Sequence, residues 1–178
     1  SEMCIRDRLN TKYIIFEQEG VKEIYQNDNA SGSAWFVKEN IKVLNDDQEI
    51  KRLDSLNFRD VSVSQSFPNK TYQNINSSVL LSEKSSNYIK YNVSTDDLSL
   101  IIFSEIFYPK GWKSYINGNQ VVNYRFNYTL RGLEVPRGNH EIEFIFDPTV
   151  VKLSSRISLF SSIGFILLIA GFILGLIR

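Results

Sequence analysis

The sequence predicts a mainly β fold: an antiparallel β-sandwich-like domain with one short helix, followed by one C-terminal transmembrane α-helix. Three observations support this prediction. Short apolar segments alternate with turn residues from 98 to 146, as in a meander of antiparallel strands. Residues 45–56 have the spacing of an amphipathic helix. Residues 157–177 contain no charged side chain and would reach roughly 31 Å as a helix, enough to cross a bilayer.

The first strands of the meander are defined by their turns. Residues 98–103 (LSLIIF) are apolar on both faces, which is typical of a central strand covered on both sides. A turn is predicted at 108–111, where Pro and Gly occupy favoured positions. Asn117 and Gly118 predict a tight hairpin, because both tolerate the positive φ that its turn requires.

The meander continues through strands predicted at 120–124 and 128–135 to a turn at 136–139. Residues 140–146 (HEIEFIF) then alternate between apolar and polar side chains, which predicts a strand with one buried and one exposed face. Pro148 ends this strand, because proline cannot continue a ladder of hydrogen bonds.

Upstream of the meander the pattern is weaker. Short strands are predicted at 13–16, 35–37 and 41–44. Asn45 is placed to cap the predicted helix, with Gln48 three residues later completing a capping-box pattern. The apolar face of this helix is predicted to consist of Ile50, Leu53 and Leu56.

The first eight residues differ in composition from the rest and contain the only methionine and the only cysteine, Met3 and Cys4. They resemble translated adapter sequence, so we expect a C-terminal fragment whose true start lies upstream. Without them the chain has no cysteine for a disulfide or a thiolate metal site. We divide the chain into a non-native segment (1–8), a small α+β subregion (9–63), a polar loop or boundary (64–78), an antiparallel β domain (79–150) and a transmembrane helix (151–178, with the span at 157–177).

The predicted span has lysine and arginine at its ends and small residues along one side. The flanking charges are Lys152, Arg156 and Arg178. The small residues follow each other at intervals of three, seven and four and so share one helical stripe: Ser161, Gly164, Gly171 and Gly175. Such a stripe lets another helix approach closely, and we expect the partners to be other transmembrane helices of the same full-length protein.

Composition and motifs exclude several functions. Twenty basic and twenty acidic residues give a net charge of zero, so no nucleic-acid partner is expected. His140 is the only histidine and has no neighbours at ligand or triad spacing, so no metal and no catalytic residue are predicted. No phosphate-binding glycine loop occurs, and no cofactor is expected.

Two sets of residues could contact sugars. Tyr108, Trp112 and Tyr115 surround one predicted turn and are candidates for glycan contact, although they fit core packing equally well. A two-carboxylate hydrolase site is an alternative reading of four acidic residues, Glu105, Glu141, Glu143 and Asp147. Against it, Glu141 and Glu143 fit a solvated strand face, and Glu105 is expected to pair with a lysine such as Lys113.

Several runs, taken in order, resemble the C-terminal region of bacterial YfhO-family membrane proteins. They are LNTKYIIF (9–16), SGSAWFV (31–37), FSEIFYPKGWKSYINGNQV (103–121) and NYTLRGLEVPRGNHEIEFIFDP (127–148). The resemblance implies a polytopic protein whose membrane core is similar to glycosyltransferases that use lipid-linked sugars and decorate cell-envelope polymers. The catalytic acids of such enzymes lie among earlier spans, so none is carried over to this chain.

The resemblance also implies a location in the bacterial cytoplasmic (inner) membrane, with the β domain outside the cytoplasm. Positive charges tend to stay on the cytoplasmic side of a membrane, so the charges flanking the span, taken alone, favour the opposite orientation. This positive-inside rule is weak for large flanking domains. The expected partners are the lipid bilayer, other membrane helices and an envelope glycan or lipid-linked sugar. The alternatives are a stand-alone, tail-anchored carbohydrate- or protein-binding module without enzymatic activity, and a membrane-tethered hydrolase dependent on Glu105.

Overall fold

The computed structural model of the protein describes residues 6–18, 20–73 and 76–176. Residues 6–8 form a helical turn. The strands are β1 (Tyr13–Gln18), β2 (Val21–Gln26), β3 (Ala34–Val37), β4 (Glu39–Lys42), β5 (Val61–Ser64), β6 (Lys70–Thr71), β7 (Ser78–Lys84), β8 (Tyr88–Thr95), β9 (Ser99–Ile106), β10 (Trp112–Ile116), β11 (Asn119–Val121), β12 (Tyr124–Phe126), β13 (Leu130–Val135) and β14 (Gly138–Phe146). The helices are α1 (Asp46–Ser55) and α2 (Thr149–Leu176).

Two antiparallel sheets pack face to face and confirm the predicted sandwich. One has the strand order β11-β10-β14-β8-β7 and the other β12-β13-β9-β3. Their facing sides share a buried apolar cluster: Ile89, Tyr91, Val93, Ile101, Phe103, Leu133, Val135, Ile142 and Phe144. Within it the ring of Phe103 lies 4.8 Å from those of Tyr91 and Phe144, at steep interplanar angles that favour edge-to-face contact.

Strand β9 is the predicted central strand, and the structure confirms it. It pairs with β13 on one side and β3 on the other. Ile101 and Phe103 point into the sandwich, whereas Leu100 and Ile102 point to the opposite side of the sheet. There they meet a second apolar cluster, whose further members are Trp35, Val37, Phe58, Phe67, Tyr72, Phe126 and Leu130. Both faces are therefore covered, which explains the unbroken apolar run.

Helix α1 lies against a small sheet of order β5-β4-β6, in which β4 and β5 are parallel. The predicted cap is confirmed, because the Asn45 side chain accepts a hydrogen bond of 3.0 Å from the Gln48 N–H. Leu53 packs with Val43 and Val63 as expected for the apolar face. The prediction was wrong for Ile50, because its side chain is exposed. The preceding residue, Glu49, is buried instead.

The Asn-Gly hairpin is confirmed, with φ of 50° at Asn117 and 77° at Gly118. The prediction of a single strand at 120–124 was wrong. This segment belongs to two strands, because the chain leaves one sheet after β11 and enters the other at β12. The strand predicted to start at residue 128 begins at Leu130, since Asn127 and Tyr128 have left-handed backbones.

Other strands were not predicted, among them β2, β7 and β8. The strand expected at 41–44 lies at Glu39–Lys42. The predicted polar segment 64–78 contains β6, and its residues 74 and 75 lie outside the described ranges. Strand β3 of the amino-terminal region lies in the same sheet as β9, so residues from both sides of that segment share a core. The division into separate regions at 64–78 stays a prediction.

Helix α2 follows β14 after only two residues. It begins eight residues before the predicted span, and its stretch from Leu153 to Ala170 has a mean hydropathy of 1.8 with none of it buried. By length and composition this helix can cross a membrane. Its 28 residues correspond to about 42 Å, close to the full thickness of a bilayer with its headgroups. Ile177 and Arg178 lie outside the described residues.

The strands of the sandwich run between two ends. We call the end where β14 stops and α2 starts the helix-proximal end. Strand β9 ends there at Ile106, which pairs with Leu130. Strand β10 begins there at Trp112, which pairs with Phe146, the last residue of β14. The far end carries the Asn117 hairpin and the turn before β14.

Candidate functional site

The turn between β9 and β10 joins the sandwich to the start of α2. The Gly111 carbonyl accepts a hydrogen bond of 2.7 Å from the N–H of Asp147, and the Trp112 N–H donates to the Tyr108 carbonyl over 3.0 Å. A Cβ atom on Gly111 would overlap ring carbons of both Tyr108 and Phe146. Glycine is therefore needed here for close approach.

Replacing Gly111 with alanine is expected to lower the free energy of unfolding by about 1–3 kcal/mol, because the two rings must move to admit a methyl group. Denaturant unfolding of the chain in detergent, followed by tryptophan fluorescence, measures this change. Lys110→Ala in the same turn is the control: Lys110 is exposed, and the expected change is within about 0.5 kcal/mol. Equal effects of the two substitutions would contradict the proposed close packing.

Beneath this turn Arg131 lies between aromatic rings. Its guanidinium carbon is 4.7 Å from the ring centres of both Trp112 and Phe144, and the residue is 1% exposed. Its Nε and Nη1 atoms have no hydrogen-bond partner among the described residues. Burial lowers the pKa of Arg131 to about 10, while the nearby Glu105 carboxylate acts in the opposite direction. Arg131 stays charged at neutral pH, and the ring faces stabilise that charge.

The carboxylates near this end are paired with lysines. Glu105 accepts a hydrogen bond of 2.6 Å from Lys84, so it does pair with a lysine as expected, but with Lys84 and not with Lys113. Lys113 instead bonds Asp147 at 2.5 Å, and this hydrogen bond raises the pKa of Lys113. The strand order explains the difference: β7, which carries Lys84, and β10, which carries Lys113, lie toward opposite edges of the five-stranded sheet.

The structure separates the three aromatic residues predicted to contact glycans. Trp112 packs against the sandwich core, with its ring centre 5.2 Å from that of Phe146. Tyr115 is three residues along the same strand and so points to the outer face, opposite Glu143 and Gln120. Tyr108 is 49% exposed in the turn at the helix-proximal end. Tyr108 and Trp112 thus share one neighbourhood, and Tyr115 lies on another surface.

The outer face of the five-stranded sheet carries the acidic residues of β14. Glu141 pairs with Lys90 at 2.9 Å, and the Tyr88 hydroxyl donates a hydrogen bond to Glu143. That hydrogen bond raises the pKa of Tyr88 to about 12. These contacts are those of a solvated strand face.

His140 lies at the far end, where its Nδ1 is 3.0 Å from the Asn117 side-chain nitrogen. An open cavity of about 330 Å³ lies beside it, lined by Leu80, Asn92 and Ser94 among others. In residues 6–18, 20–73 and 76–176 no group of three or more His, Cys, Asp or Glu side chains is arranged to hold a metal ion.

Glu49 on α1 is a buried carboxylate with a structural role that was not predicted from the sequence. It is fully buried, and its carboxylate accepts hydrogen bonds from the Tyr128 N–H (2.8 Å), from Gln65 (2.9 Å) and from Arg125 (3.1 Å). Arg125 also bonds Asp46 at 2.8 Å. This carboxylate fixes the left-handed segment at 127–128 against α1.

The sequence model described as "Bacterial membrane protein YfhO" matches residues 38–158, more than half of the chain. The chain belongs to this family. No curated protein and no solved structure matches it. The YfhO match includes α1, the β9–β10 turn, Arg131 and the first residues of α2. Hairpin β1–β2 lies before the matched range, and most of the apolar helix lies after it.

In this YfhO-family chain, the predicted helix-packing residues lie on α2. Ser161 and Gly164 are exposed, and a Cβ on Gly164 would meet no atom within 4 Å. Gly171 and Gly175 fall within the bounds of the helix, but their surroundings lie outside what is described. The packing of this stripe against other YfhO membrane helices stays a prediction.

Proposed function

We propose that this chain is the C-terminal extracytoplasmic domain and last membrane span of a polytopic YfhO-family protein that transfers sugars from lipid-linked donors to cell-envelope polymers. The β domain stands over the membrane surface and shapes the access of the acceptor. The chemistry belongs to other parts of the full-length protein, and the domain acts by position and contact.

One observation carries this proposal: both ends of the domain lie at the helix-proximal end. The segment that leads into β1 reaches this end, because Leu9 lines a cavity of about 270 Å³ together with Thr129 and Leu130. Leu130 pairs with Ile106 there. At the other end of the domain, β14 leads into α2. A domain inserted between two membrane spans requires this arrangement, in which the chain enters and leaves on the same side.

The residues predicted to contact glycans enter the proposal in modified roles. Tyr108 is exposed beside the start of α2, where a lipid-linked sugar would pass, and Tyr115 faces outward on the sheet. Trp112 supports the turn from below through its contacts with Arg131 and Phe146. Glycan contact is therefore proposed for the two tyrosines, with Trp112 as a positioning residue.

Cysteine accessibility tests the orientation. In the full-length protein, with its other cysteines replaced by serine, Val122→Cys places a thiol on a 70% exposed side chain of the β domain. A membrane-impermeant maleimide added to intact bacterial protoplasts is expected to label this thiol, because the domain lies outside. The cysteine-free chain is the control for background labelling. Labelling only after the cells are permeabilised would place the domain in the cytoplasm and reject the orientation.

The transferase part of the proposal is tested on the full-length gene. Extending the reading frame upstream is expected to reveal further hydrophobic spans, and deleting the gene is expected to remove a sugar from an envelope polymer. Restoration by the full-length gene, but not by a copy lacking the β domain, would support an accessory role of the domain. An upstream region without any further span would reject the transferase and favour a tail-anchored binding module.

A further inference from the structure

Hairpin β1–β2 presents apolar side chains on both of its faces. The two strands pair in register, with Ile15 opposite Ile24 and Phe16 opposite Glu23. Every side chain of β2 is exposed. The exposed apolar residues of the hairpin are Tyr13, Ile15, Phe16, Val21, Ile24 and Tyr25, and Ile24 reaches 71% exposure.

A hairpin of this kind is not expected to stay exposed to water. Two strands alone are marginally stable, because each residue buries little apolar surface. Exposed clusters of large apolar side chains on a folded protein mark a surface that contacts something else. The hairpin therefore requires a partner surface to cover it.

The base of the hairpin is attached at the helix-proximal end of the sandwich. The Asn27 N–H closes the base by donating to the Lys12 carbonyl over 2.8 Å. Five residues later, the Gly32 carbonyl accepts a hydrogen bond of 2.6 Å from the Ser104 hydroxyl, and the Ser33 carbonyl accepts one of 3.0 Å from the Ser104 N–H. Ser104 lies two residues before Ile106, where β9 ends. The hairpin thus leaves the domain on the side from which α2 also leaves.

The turn from β9 to β10 adds apolar surface at the same end. Ile106 is 65% exposed, and Tyr108 and Lys110 are exposed beside it. The hydrogen bond between Gly111 and Asp147 connects this turn to the start of α2, because only Pro148 separates Asp147 from the helix. Because α2 alone is about as long as the bilayer with its headgroups, the helix-proximal end must lie close to the membrane surface.

We propose that hairpin β1–β2 and the β9–β10 turn form one lipid-contacting surface that rests in the headgroup layer beside α2. The composition fits that layer: tyrosines with an apolar ring and a polar hydroxyl are typical of the membrane interface, and Lys110 can reach lipid phosphates. At the hairpin's tip Glu17 faces Lys22, a polar pair that suits the headgroup region. The inference depends on α2 crossing the membrane, but not on orientation or transferase activity.

Depth measurements in vesicles test this surface. The Cys4→Ser chain carrying Ile24→Cys is labelled with an environment-sensitive fluorophore and reconstituted into phosphatidylcholine vesicles containing brominated lipid. The matched control is Leu80→Cys, since Leu80 is a strand residue of similar exposure (68%) that pairs with Asn92 on the sandwich. Ile163→Cys in α2 reports insertion of the helix. We expect quenching at positions 24 and 163 several-fold stronger than at position 80.

Each other outcome has a definite meaning. Quenching at position 163 with positions 24 and 80 equally unquenched would overturn the lipid-contacting surface while leaving the span intact. Weak quenching at position 163 would reject the span itself and, with it, this inference. Crosslinking between two Ile24→Cys chains, with no quenching by brominated lipid, would show that a second copy covers the hairpin through its free strand edges, which also overturns the proposal.

Discussion

Phe144→Ala is expected to lower the free energy of unfolding by about 3–5 kcal/mol. Phe144 is fully buried in the centre of the sandwich. Its ring lies 4.8 Å from that of Phe103 and 6.2 Å from that of Tyr91, both in edge-to-face contact. Alanine would leave a cavity that neighbouring strands cannot fill, and it would also remove one of the two rings that cover the Arg131 guanidinium.

Denaturant unfolding in detergent, monitored by the fluorescence of Trp112 and Trp35, measures this loss. The matched control is Ile145→Ala, one residue along on the same strand. Ile145 points to the outer face and is only partly buried, so its truncation is expected to cost about 1 kcal/mol or less. Similar losses for the two substitutions would contradict the assignment of the buried face.

The alternation that placed Phe144 inside was readable in the sequence. HEIEFIF has the period of two that a half-exposed strand requires, and the structure buries Ile142 and Phe144 while leaving Glu141 exposed. The central strand and the Asn117-Gly118 hairpin were predictable for the same reason: each depends on local sequence and on one face or one turn.

What the sequence could not provide was the pairing of distant strands. Glu105 bonds Lys84 and not Lys113 because β7 and β10 lie at opposite sides of the five-stranded sheet. Arg131 was also missed, although one signal was present. It has the same parity along β13 as Leu133 and Val135, whose side chains point into the core. A charged residue at such a position indicates a buried cation that needs aromatic or acidic neighbours.

The candidate glycan residues show the same limit. Their closeness in sequence indicated one cluster, but a spacing of three residues within a strand puts Trp112 and Tyr115 on opposite faces. Only the first strand of hairpin β1–β2 was predicted from the sequence. Its second strand, VKEIYQ, alternates weakly because apolar residues lie on both faces, as expected of a strand whose cover is not the protein's own core.

Glu49→Ala is expected to lower the free energy of unfolding by about 2–4 kcal/mol. The substitution leaves the N–H of Tyr128 without its acceptor, in a segment whose φ of 73° at that residue is already unfavourable. It also removes one of the two carboxylates that hold Arg125. Both effects act on the contact between α1 and the loop that leads into β13.

Glu49→Gln separates the two effects, because the amide oxygen can still accept from the Tyr128 N–H while the charge that holds Arg125 is lost. Its expected cost is about half that of alanine. Asp47→Ala controls for loss of an acidic residue in the first turn of α1, where an exposed carboxylate contributes about 0.3–1 kcal/mol. If Glu49→Ala cost no more than Asp47→Ala in the same unfolding experiment, the buried carboxylate would not be what holds the loop. In that case the left-handed backbone at 127–128 would have to be stabilised by other contacts, such as the two hydrogen bonds between Asn127 and Val63.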